Sequence, residues 1–280
     1  MSISGGIKLF TKNSILESEG GVATASTGNG IAHYALDKNP ITNWTSVGSN
    51  DATTETFTVV FPSTTIDRIL LQNHNFKGFN IQYWNGSAYA HLAAVVGLDG
   101  SKANITETAF ADDTAYYEFT PVTTTRLRIQ VTTTQTVNAQ KFLTQFIACQ
   151  ELGTLAGWPA IKTPSHSRNE RTKVMLSGKV NVQKSIDSFK VKLDFDRYPT
   201  SSSAYRSDLD LMMTLFDSEN PFLVWLCGGR RGTTYFRYIP RGMRLQDIYC
   251  MQTIGLFQPE FLKSIYTNPV SLEVSLVEHV

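Results

Sequence analysis

The chain has 280 residues, a formal net charge of +1 and only 18% charged side chains. Near-neutrality argues against a general nucleic-acid or membrane-surface binder, whose domains are usually far more basic. The length allows roughly two domains, and abundant Thr, Ser and Asn suit β-structure with polar but non-ionic outer faces. Three cysteines (Cys149, Cys227, Cys250) form an odd set without motif spacing. They read as small apolar packing groups, not as a disulfide framework.

Taken in chain order, Met1 to Gly6 carries no basic segment followed by an apolar run, and no apolar stretch reaches the ~20 residues of a membrane span. The expectation is synthesis and folding in a reducing cytoplasm. Thr56 to Phe61 is β-branched and aromatic, as a buried strand requires. Asn85-Gly86 signals a hairpin, because both central residues of a type I′ turn need positive φ. Tyr83, Trp84, Tyr89 and His91 surround that turn. Aromatic faces beside polar loops stack sugars, but they also form ordinary cross-strand pairs, and the strand reading is favoured. Gly153, Gly157, Pro159 and Pro164, followed by mixed charges to Lys173, mark a linker or extended arm over 156–173. The expected domains are therefore 1–155 and 174–280.

The first domain resembles the discoidin-like (coagulation factor 5/8 type C), galactose-binding-like β-sandwich. Four ordered stretches carry the resemblance: Ala35 to Ser46, which is similar to A-x-D-x-N-x-x-T-x-W-x-S; Ile66 to Leu71; Phe79 to Gly86; and Thr125 to Val131. It implies a jelly-roll sandwich over about residues 20 to 153, a module that binds surfaces and glycans, and a tryptophan, Trp44, packed in the core. It also implies that Asp37, Asn39, Thr42 and a late glutamate, Glu151, stand where relatives often hold a structural calcium. The loop offers carboxylate, amide, hydroxyl and carbonyl oxygens of the kind calcium takes. Lys38 replaces the usual glycine, however, and an Asx-type turn explains the same residues. No other cofactor is expected.

In the second half, Phe189, Val191, Leu193 and Phe195 alternate with Lys190, Lys192 and Asp194 as a half-buried strand, with Val180 and Val182 suggesting its partner. Leu209, Met212, Met213 and Phe216 recur at helical spacing over 205–217, with Ser207 and Asp210 as a cap. Phe222 to Cys227 and Val270 to Leu276 read as strands. This order of strands, one helix, then strands resembles the tail-tube-like β-sandwich of tailed bacteriophages, shared by tube and distal tail proteins. That resemblance implies a subunit of a homo-oligomeric ring, hexamer or trimer, joining tail tube to hub or baseplate proteins in the virion tail. Arg230, Arg231, Arg237, Arg241 and Arg244 would then serve subunit contacts in preference to DNA phosphate.

The five histidines show no paired metal spacing, and Cys227-Gly228-Gly229-Arg230 lacks the lysine and hydroxyl of a phosphate-binding loop. No reaction is expected. The combined reading is a mainly β protein of two sandwiches: an N-terminal discoidin-like jelly roll and a C-terminal tail-tube-like sandwich with one helix. Its expected function is a structural part of a phage tail tip or baseplate, its outer domain touching protein or cell-surface glycan, with neither membrane nor sequence-specific nucleic acid as partner. The alternative is a carbohydrate-binding protein acting through the N-terminal domain.

Overall fold

The computed structural model describes residues 7–39, 41–48, 51–155, 160–167, 170–174, 180–184, 188–199, 203–218, 221–225, 249–254, 260–261 and 269–278. Residues 10–151 make one unit, while residues 7–9 join those from 152 onward in the other. Most of the first strand, β1 (Ile7–Phe10), thus belongs with the far end of the chain.

The first unit continues with β2 (Val22–Ala25), β3 (Trp44–Thr45), β4 (Glu55–His74), β5 (Phe76–Trp84) and β6 (Tyr89–His91). There follow β7 (Val95–Gly97), β8 (Gly100–Lys102), β9 (Thr106–Glu107), β10 (Thr114–Thr134) and β11 (Phe142–Cys149). Two long strands, β4 and β10, organise it. The first half of β4 pairs with β2 and with the second half of β10, placing Phe57 opposite Ile129. Its second half pairs with β11 and the first half of β10, placing Ile69 opposite Tyr117. Register shifts between Glu118 and Val122 and between Thr124 and Arg126 turn the ladder at the join. Exposed Pro62 falls in the unpaired gap of β4, where its missing N–H costs the ladder nothing.

Bent in this way, the strands fold two layers over one core. Phe57, Val59, Leu127 and Ile129 contribute from one layer, and Ile69, Leu71, Tyr117 and Phe146 from the other. Trp44 is fully buried among them, with ring centroids 5.1 Å from Phe57 and 6.5 Å from Phe76. Its indole N–H donates to the Thr27 carbonyl at 3.0 Å. Gly28 makes that approach possible: φ is +63°, and a Cβ there would lie 2.1 Å from the Thr45 carbonyl oxygen. Trp44 is a core residue, as the resemblance implied.

The hairpin after β5 differs from the type I′ expectation. Four residues, 85–88, connect β5 to β6, and only Gly86 (φ +99°) has positive φ. Asn85 builds the turn with its side chain instead: Oδ1 accepts from the Ser87 and Ala88 amides at 3.0 and 2.9 Å. An Asx turn therefore does what a left-handed Asn would do in a tighter loop.

The second unit contains β12 (Glu151–Leu155), β13 (Ala160–Ser167), β14 (Glu170–Val174), β15 (Val180–Lys184) and β16 (Ser188–Pro199). A helix, α1 (Ser203–Ser218), precedes β17 (Phe222–Trp225), β18 (Tyr249–Ile254), β19 (Glu260–Phe261) and β20 (Pro269–Glu278). Seven strands run β12-β1-β17-β18-β20-β16-β13, with β19 paired to β20. Several local expectations change. The stretch read as a linker contains β13, which pairs with β16. Val180 and Val182 lie on β15, whose partner is β14, so they do not flank the Phe189 strand. The helix starts before Ser207, and its buried stripe is Asp208, Met212 and Leu215, with Met213 45% exposed. Arg230, Arg231, Arg237, Arg241 and Arg244 lie outside the described residues.

Removing the Trp44 side chain empties the centre of the first core. Trp44→Ala is expected to lose about 3–5 kcal/mol of unfolding free energy, measured by urea denaturation. A loss under about 1 kcal/mol would show that the indole is not a structural keystone.

Candidate functional site

Burial of alternate residues along β10 fixes what its other side presents. Leu127, Ile129 and Val131 face the core, so Arg126, Arg128 and Gln130 face outward. The same rule on β5 buries Ile81 and turns Gln82 and Trp84 outward, where β6 places His91 opposite Gln82 and Tyr89 opposite Trp84. Of the four residues expected to flank the turn, Trp84, Tyr89 and His91 therefore share the outer face. Tyr83, by contrast, sits opposite Leu127 and packs against the core.

Two arginines of the Thr125 to Val131 stretch, which the sequence reading did not assign to a site, complete this face. The Arg128 guanidinium lies 3.8 Å above the Tyr89 ring centroid, and Arg126 lies 5.1 Å from that of Trp84. The two rings meet edge to face at 5.3 Å. Gln82 steadies the array, its Oε1 accepting from Arg128 Nε and Nη2 at 3.1 and 2.5 Å. A guanidinium presents five N–H groups, and these bonds occupy two of Arg128's. The arrangement is a rigid set of planar groups with donors pointing to solvent, suited to a ligand with many oxygens. The period-2 position of Arg126 and Arg128 beside the aromatic hairpin was the available signal. Only the β5–β10 register shows that they meet the rings.

The loop considered for calcium is a closed turn. Asp37 Oδ1 accepts the Asn39 amide at 2.8 Å, and Asp37 Oδ2 accepts the Thr42 hydroxyl at 2.7 Å. Asn39 Oδ1 accepts the Ile41 amide at 3.0 Å, and Lys38 takes φ +63°. Glu151 is engaged by Arg68, within a cluster where Asp67 and Glu118 lie 3.5 and 3.9 Å from the same guanidinium. Burial pushes the Asp67 carboxyl up against the pull of the Glu151 amide and Arg68, and it raises the Cys149 thiol beside them. The Asx-turn reading accounts for the hydrogen bonds of the loop, and Glu151 serves an internal ion pair. Among the described residues, no three His, Cys, Asp or Glu side chains gather as a metal site.

No known family profile matches the chain, and no curated protein matches it. Solved structures that resemble about half of it include carbohydrate-binding modules and two longer chains, SpGH29 and one from Bacteroides thetaiotaomicron, of which the match covers 28% and 30%. One is chitosan-binding module 1 of a chitosanase/glucanase from Paenibacillus sp. IK-5, 22% identical, with a TM-score of 0.39 over 49% of this chain and 97% of that one. Another is the family 32 module of Clostridium perfringens NanJ, solved with galactose: 16% identical, TM-score 0.38, covering 51% and 99%. A pectin-binding module is 18% identical, with a TM-score of 0.34 over 45% and 87%.

Of the remaining histidines, His33 lies tilted against Tyr34 with ring centroids 4.4 Å apart, and His74 is 1% exposed among Phe76, Phe79 and Phe110. His74 Nδ1 accepts the Phe76 amide at 3.0 Å, so Nε2 carries the proton of the neutral ring and has no partner among the described residues. Burial lowers its pKa from 6.5 to about 3. An unfolded chain therefore binds a proton below pH 6.5 that the folded chain refuses until about pH 3, and stability falls as pH drops through that window. The expected loss is about 2 kcal/mol between pH 7 and pH 5, seen in urea titrations. It should disappear in His74→Asn, which keeps an acceptor for Phe76. An unchanged pH slope in that variant would assign the effect to other groups.

Proposed function

We propose that the first unit is a carbohydrate-binding module acting without turnover, and that its binding surface is the outer face of the β10–β5–β6 sheet. One observation carries the reading: Trp84, Tyr89, Arg126, Arg128 and Gln82 form one outward array held by mutual contacts. Aromatic carbon beside planar hydrogen-bonding groups matches a sugar ring, which offers C–H faces and hydroxyl edges together. A rigid β-sheet holds the array before ligand arrives, which lowers the ordering cost of binding. No metal or cofactor enters this reading.

A second reading, a structural protein of a phage tail tip or baseplate made in the host cytoplasm, keeps one observation of its own. Although β12 to β15 also precede the helix where only two strands were expected, the second unit places β16 before the helix α1 and β17, β18 and β20 after it. Paired in one sheet with β1, these strands leave β12 and β13 as its edges, the elements through which subunits of a ring would join. Light scattering with negative-stain imaging tests this, a closed ring supporting it and a monomer at high concentration counting against it.

For the favoured reading, the full chain is titrated calorimetrically against soluble polysaccharides of different charge. Binding to at least one is expected, and Trp84→Ala should weaken it roughly 10- to 100-fold without changing the unfolding temperature by more than a few degrees. Binding that Trp84→Ala leaves untouched would move the site elsewhere on the molecule.

A further inference from the structure

On this surface one face of each aromatic ring is already taken by an arginine. Arg128 already covers a face of Tyr89, and Arg126 approaches a face of Trp84. What the surface offers outward is guanidinium backed by aromatic ring, and stacking restrains the long side chains so that less freedom is lost when an anion binds. Neither arginine has a carboxylate partner among the described residues, whereas the half-buried Arg68 has three around it.

The pattern extends across the sheet. One cross-strand row runs Val22, Val60, Arg126, and then through the Arg126–Trp84 contact to Tyr89. The next runs Thr24, Thr58, Arg128, Gln82, His91. Both cross β2, β4, β10, β5 and β6, about 19 Å at the usual strand spacing. No position in either row is Asp or Glu. Val22 and Val60, 61% and 41% exposed, give the far end an apolar floor.

We infer that this face binds an extended acidic polysaccharide, a chain of carboxylate-bearing sugars lying across the strands. Arg126 and Arg128 take the carboxylates, while Trp84, Tyr89 and the valines lie against the sugar rings. The inference rests on the carbohydrate reading above and adds the charge class of the ligand. Planar carboxylate against planar guanidinium gives paired N–H···O bonds that a hydroxyl group cannot match. The outer threonines and Gln82 supply neutral partners for ring hydroxyls between the charges.

The test uses the full chain and three probes: polygalacturonate, the same polymer fully methyl-esterified, and a single-stranded oligonucleotide of equal length. Polygalacturonate should bind at least about tenfold more tightly than its ester, and more weakly as salt rises. Arg128→Gln should weaken polygalacturonate binding about tenfold or more, and binding of the ester by much less. Arg128→Lys, which keeps the charge but loses the fork, should recover only part of it. Arg126→Gln, at an exposed position, serves as a second variant and should weaken polygalacturonate binding in the same direction. Equal binding of acid and ester would overturn the inference and leave the carbohydrate reading standing. No binding to either polymer would remove both for this ligand class. Equal or tighter oligonucleotide binding would show a surface for polyanions in general and overturn the inference as well.

Discussion

The antiparallel pairing of β4 with β10 is the constraint on which the first unit depends. It spans both layers, bends between them, and fixes which side of each strand is wet. Side chains alternate strictly along a strand, so burying Leu127 and Ile129 obliges Arg126 and Arg128 to face solvent. A slip of one residue would put two arginines into an apolar core and two apolar residues into water, so this register is strongly specified. The site is thus a consequence of the core: the pairing that buries Ile129 opposite Phe57 and Ile81 also sets Arg128 beside Gln82.

The unit treats its arginines in two ways, and the difference separates structure from function. Arg68 is drawn in among Asp67, Glu118 and Glu151, and Tyr116 donates to Glu118 at 2.9 Å. A charge there is tolerable because its partners surround it, and removing Arg68 would leave three carboxylates together without their cation. Arg126 and Arg128 lean on aromatic rings instead. A ring attracts a cation without neutralising it, so the positive charge still reaches solvent. The first arrangement holds strands together, and the second leaves positive charge at the surface, where the proposed ligand would meet it.

Much of the first unit was legible in the sequence because its signals are local. The strands at 56–61, 66–71, 79–84 and 125–131 and the buried Trp44 follow from alternation and from the discoidin-like pattern. Sequence alone could not show that the first two of those strands are one bent strand, because the corner depends on pairing with a partner some 60 residues away in the chain. Nor could it separate Tyr83 from Trp84: adjacent aromatics look alike until the register assigns them opposite faces. Asp37 and Glu151 suggested a shared ligand by type, yet each has a nearer partner, Thr42 and Arg68. The second unit hid its first strand at the opposite end of the chain, where no local pattern connects Ile7–Phe10 to Phe222–Trp225.

The central claim is a location: that ligand lies on the sheet face and not on the loops at the end of the sandwich. Amide chemical-shift mapping of the full chain with a short galacturonate oligomer tests it most directly. The account predicts that shifts concentrate at residues 82–91 and 126–128, with smaller ones at 58–60 and 22–24. Shifts confined to residues 26–28 and 46–48, with the sheet face silent, would contradict it.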